Sequence, residues 1–122
     1  MTREQERAAH AFVCIRKVGA ANQKNYKILV NEFGTNIIRS GLMAAIAFIQ
    51  RYRDQGVARL FFEHLAGASI PGLHCNGGDL AAHIKKLEAN EYMFTTREFL
   101  KIALWFKRAA QAELSNVAED EN

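Results

Sequence analysis

Arg59 and His64 lie five positions apart, and side chains of those two types can break an RNA strand. A histidine moves the proton of a ribose hydroxyl while a guanidinium steadies the charge on the phosphorane. His64, His74, Cys75 and His83 are a second set, of the types that zinc favours. Zinc ligand pairs usually sit about two to four residues apart, and the adjacent His74 and Cys75 cannot easily reach one ion. No metal and no other cofactor is expected. The third set is basic. In residues 95–114, TTREFLKIALWFKRAAQAEL, the positions Lys101, Trp105 and Arg108 recur at four and three. A Trp between two cations can stack on a base and neutralise phosphate. Arg3, Arg7, His10, Cys14 and Lys17 recur at four, three, four and three, a basic stripe on one side of a helix. If the two faces adjoin, they make a groove that follows a phosphate backbone without reading sequence.

Helices must position these residues, and the apolar spacing predicts six of them and no strand. The first spans residues 3–18, opened by a capping box of Thr2 with Gln5 and stopped by Gly19. Its core face is Ala8, Ala11, Phe12, Ile15 and Val18. The second spans residues 23–38, with Tyr26, Leu29, Val30, Phe33 and Ile37 inward and Gly34 marking a bend. Ser40 caps a third, residues 41–53, which is apolar on almost every side and so should be central. Arg51 and Arg53 fall in its last turn, where the helix dipole favours cations. The fourth covers residues 57–66 and the fifth residues 79–89, separated by a loop holding Pro71, Gly72, Gly77 and Gly78. The sixth covers residues 95–114, opened by a capping box of Thr95 with Glu98. Phe99, Ala103, Phe106 and Ala110 fix its core face, which leaves Trp105 either in the core or between subunits.

A chain of 122 residues has room for one domain. We expect an all-α, compact single-domain bundle over residues 1–114 and a disordered acidic tail over residues 115–122. The formal charge is +3, yet residues 1–112 hold sixteen cations against nine anions, because four acids fall in the last ten positions. A basic body suits a polyanionic partner. On the residues alone, a nucleic-acid face and an ordinary solvated face both stay open. Cys14 and Cys75 are the only cysteines, and the polar start MTREQERAAH has no secretory core, so free thiols in a reducing cytoplasm are expected. No apolar run reaches the ~18 residues that cross a bilayer. No segment combines a short turn between crossing helices with base-reading polar residues, so a DNA-reading regulator is disfavoured.

Two family resemblances follow from these residues. The Arg59 and His64 pair resembles the signature of HEPN-type ribonucleases, helical enzymes that use such a pair across a dimer, although Leu60 stands where those enzymes usually carry a polar residue. The wider pattern resembles the small all-helical subunit of the type III-B CRISPR effector, the Cmr complex. Three blocks carry it in order: Arg7-Ala8 and the apolar positions ending at Val18; Tyr26-Lys27 through Ile37-Ile38 to Ser40-Gly41-Leu42 and Ala45-Ile46-Ala47-Phe48; and Tyr92, Thr95 or Thr96, Glu98 and Leu104 to Ala110. The chain departs from the pattern at Gly34, where the family often has Pro, and at Ser40, where Asn is common.

The second resemblance implies a non-catalytic protein. Several copies would stack along the effector beside backbone and large subunits, at a basic surface that receives guide RNA paired to target RNA. The expected phosphate contacts come from charge and helical spacing, and are Arg7, Arg16, Lys17, Arg51, Arg53, Lys101, Lys107 and Arg108. The alternative is a small helical ribonuclease that uses Arg59 and His64.

Overall fold

Neither Gly nor Pro occurs between Glu88 and Leu114, and that stretch forms a single 25-residue helix, Ala89–Glu113, roughly 37 Å long. The computed structural model describes residues 1–117. In chain order its helices are α1 (Arg3–Arg16), α2 (Gln23–Ser40), α3 (Leu42–Gln50), α4 (Gln55–Ala66), α5 (Leu80–Lys85) and α6 (Ala89–Glu113), with 3-10 turns at Ala20–Asn22 and Gly77–Asp79. Six helices and no strand among the described residues match the expectation from periodicity.

The spine is α6, and the expected central helix, α3, lies to one side. Eight residues of α6 are buried, including Phe99, Ile102, Phe106 and Ala110. In α3, Met43, Ala47 and Phe48 are only half-buried and Ala44 is exposed, because the helix packs on α2, α4 and α5 and not along α1 or α6. Side-chain pairs fix the directions around the spine. Arg7 meets Glu98 and Arg16 meets Glu113, so α1 runs parallel to α6. Phe33 stacks edge-on against Phe99 and Lys27 reaches Leu114, so α2 runs antiparallel. Phe61 of α4 then closes on Tyr26, Phe33 and Phe106 with centroids 5.4–6.0 Å apart, the edge-to-face geometry that aromatic quadrupoles favour.

Several boundaries differ from the sequence reading, each for a physical reason. The last helix starts at Ala89, capped by the Glu88 N–H donating to Glu91 Oε1 at 3.2 Å. Thr95 and Glu98 are buried inside it, so their capping-box spacing is incidental. The fifth helix accordingly stops at Lys85. Arg51 and Arg53 lie beyond α3, on the link that ends where Asp54 caps α4 by accepting from Val57 N at 3.1 Å. α2 continues through Ser40, and Gly41 makes the corner into α3 at φ 94°, a conformation that suits glycine. Gly34 interrupts nothing; a Cβ there would sit 3.3 Å from that of Ala103, so it lets α2 and α6 close together. Just past α6 the Lys27 ammonium donates to the carbonyls of Leu114 at 3.1 Å and Val117 at 2.7 Å. It thereby satisfies acceptors that a helix end leaves free. The acidic positions Glu119 to Glu121 lie outside the described residues.

Candidate nucleic-acid interface

The expected basic stripe on α1 turns largely inward. Arg7 keeps only 4% of its surface. Its Nε and Nη2 donate to the Ser69 carbonyl at 3.1 and 2.7 Å, and Nη2 also donates to Glu98 Oε1. Arg7 is therefore removed from the set of exposed phosphate ligands. The spacing placed it beside the core face, and the burial of Glu98 on α6 draws it in, since a buried carboxylate needs a partner. Cys14 is buried and His10 half-buried, leaving Arg3 and Lys17 as the exposed ends of the stripe.

Arg16 is exposed but ion-paired to Glu113 at 3.2 Å. Lys101 reaches Glu98 Oε2 at 3.3 Å and is largely open to solvent. Burial works to raise the Glu98 carboxyl, but the hydrogen bond and charge of Arg7, then those of Lys101, hold it below its ordinary range. Lys107 and Arg108 are exposed, and Arg108 lies over the ring of half-buried Trp105 at 4.9 Å, a cation–π contact. Arg53 lies over Tyr52 at 5.6 Å, and Arg51 beside it is exposed.

The structure thus divides the predicted contacts into a group on the ridge of α6 with the ends of α1 and a group on residues 51–54. The first group contains a groove. Arg3, Glu4, Arg7, Glu98, Lys101, Leu104 and Trp105 line a cleft of about 350 Å³ between α1 and α6, so these two faces do adjoin. Sequence reasoning passed over Arg97, exposed on α6. Its spacing of four to Lys101 and eleven to Arg108 puts all three on one face, and that signal could have found it.

Arg59 and His64 do not converge. Five residues of helix separate them by about 140°. Arg59 is exposed and lines a shallow groove with Gln55, Gly77 and Gly78. His64 packs inward, where its Nδ1 shares a hydrogen bond with the Tyr26 hydroxyl at 2.5 Å and its carbonyl accepts from His10 Nε2 at 2.8 Å. Burial, with the charges of His10 and Lys17, lowers His64 to about 4. The imidazole is therefore neutral at physiological pH and already holds a structural hydrogen bond. Among the described residues no three His, Cys, Asp or Glu side chains come together to hold a metal ion. No helix there is long and apolar enough to cross a membrane.

Comparison with known proteins places the fold in a family. The family model described as "CRISPR-associated protein (Cas_Cmr5)" matches residues 3–113. A crystal structure of a CRISPR-associated Cmr5 family protein from Thermus thermophilus superposes with a TM-score of 0.79 at 28% identity, covering 92% of this chain and 97% of that one. No curated protein matches the chain. The family match runs from the first residue of α1 to the last of α6, and the chain accordingly belongs to the Cmr5 family, the small subunits of the type III-B CRISPR effector complex.

Proposed function

We propose that this chain is a non-catalytic structural subunit of its effector, acting in the cytoplasm in antiviral defence. Several copies stack beside the backbone and large subunits and neutralise the guide–target RNA through their exposed cations. The family match over residues 3–113 carries the reading. The exposure of Lys17, Arg51, Arg53, Lys101, Lys107 and Arg108 supports it, as does the inward placement of His64. Arg16 contributes when RNA displaces Glu113. Phosphate contacts of this kind add affinity without base preference, as suits a subunit that meets any guide sequence.

The test is RNA binding by the complex assembled from all its subunits. Replacing Lys17, Arg51, Arg53, Lys107 or Arg108 by Ala weakens binding alike across RNA sequences. Each true contact removed also lowers the slope of log K against log salt by about 0.7–0.9. Unchanged binding when all five are replaced together would refute the RNA-facing role. Metal-independent cleavage of RNA by the purified chain, abolished in His64→Ala, would refute the non-catalytic one.

A further inference from the structure

The floor of the α1–α6 groove holds a cation with spare donors. Arg7 uses Nε and Nη2 on Ser69 and Glu98, while its Nη1 has no partner among the described residues. No fully enclosed side-chain nitrogen or oxygen there lacks a partner. Nη1 therefore keeps some contact with solvent, and Arg7, at 4% exposure, lines the groove. The guanidinium is locked in place by its other bonds, so a ligand that meets Nη1 orders nothing new. Lys101 and Arg3 stand at the rim, and Trp105 and Leu104 supply an apolar wall. Arg108 covers one face of the indole. Two carboxylates, Glu4 and Glu98, share the lining and can accept hydrogen bonds.

Resting on the RNA-binding reading above, we propose that this groove holds one unpaired nucleotide of the RNA, its phosphate on Arg7 Nη1 between Lys101 and Arg3 and its base against Trp105. The chemistry favours a nucleotide over an acidic peptide. A base has a π face for the indole and exocyclic amines for Glu4, and a ribose has hydroxyl donors, whereas an acidic side chain brings only charge. Stacking on aromatic residues beside cations is how single strands are held without regard to sequence. A volume of about 350 Å³ is at the small end of the ~300–1,000 Å³ typical of ligand sites and suits one nucleotide.

Trp105 is the only tryptophan in the chain, so its fluorescence reports this groove alone. The full-length chain is titrated with AMP, with inorganic phosphate, with a short single-stranded RNA and with a Glu-rich peptide. AMP and the RNA quench Trp105 saturably, and phosphate competes with them without quenching. Lys101→Ala and Arg3→Ala each weaken AMP about fivefold, the loss of one exposed charge-assisted contact, with an unchanged circular dichroism spectrum. Either of two results overturns the proposal: quenching by the peptide and not by AMP, or no saturable response to millimolar AMP. If joint replacement of Lys17, Arg51, Arg53, Lys107 and Arg108 still weakens RNA binding by the assembled complex in that event, only the nucleotide site is wrong. If those replacements also have no effect, the RNA-facing role falls with it.

Discussion

Replacing Glu98 by Ala should be among the most damaging single changes to this protein. The carboxylate is buried at 4% exposure and accepts from Arg7 and from Lys101. Its loss leaves Lys101 free to turn to water, but strands Arg7 with only the Ser69 carbonyl. Removing one partner of a buried ion pair costs about 3–5 kcal/mol. Solvent contact at Nη1 and the surviving Ser69 bonds place Arg7 at the lower end, about 3 kcal/mol. Against a total stability on the order of 5–15 kcal/mol, that lowers Tm by about 10 °C or more. The assay is urea unfolding followed by circular dichroism. Arg7→Met combined with Glu98→Leu restores most of the loss, because apolar isosteres replace a buried pair at little cost. Glu113→Ala, which breaks the exposed bond to Arg16, changes stability by at most about 0.5 kcal/mol. The pH dependence follows from sign. Glu98 titrates below its unfolded value, so its contribution is present above the ordinary carboxylate pKa and is lost as pH falls through the lowered one. A Glu98→Ala protein within about 0.5 kcal/mol of the parent would refute the idea that this pair locks α1 to α6.

His64 should titrate stability over a different window. Its folded pKa of about 4 lies below the ~6.5 of the unfolded chain, so the unfolded state binds more protons between the two and stability falls progressively from about pH 6.5 towards about 4. His64→Gln flattens that part of the curve in pH-dependent unfolding. Gly77 is required for packing: a Cβ there would lie 2.6 Å from Glu63 N and 2.8 Å from Glu63 Cα, and α4 backbone cannot give way. Gly77→Ala should cost about 1–3 kcal/mol by denaturant unfolding.

The apolar periodicity of α1, α2 and α4 was enough to find those helices and most of their core residues, since burial of one face is the constraint that shapes such sequences. Capping-box spacing was less reliable. Thr95 with Glu98 has the right spacing, but Glu98 is there to hold Arg7, a contact across 91 positions that local reading cannot see. The same long-range pair explains why Arg7, read from helical spacing as an exposed cation, is buried, and why the α1 and α6 faces, left as a condition by the sequence, lie side by side. The centrality of α6 over α3 was also hidden, because composition reports how apolar a helix is and not which helices pack against it: α6 is seated between α1 and α2, and α3 lies against α2, α4 and α5. The inward turn of His64 depends on Tyr26 from another helix and leaves no trace in the spacing of α4.

The parallel seating of α1 on α6 has a bearing on biosynthesis. α1 leaves the ribosome well before α6, the helix it packs on most, and at ordinary translation rates the wait between them is on the order of ten seconds. Until then Ala11, Ile15 and Val18, all buried in the finished protein, stay exposed on the nascent chain. Bringing partners so far apart in sequence together carries a loop-closure cost that slows folding. A chain that stops short of α6 leaves α1 with little beyond the bonds of Arg7 to Ser69 and His10 to His64.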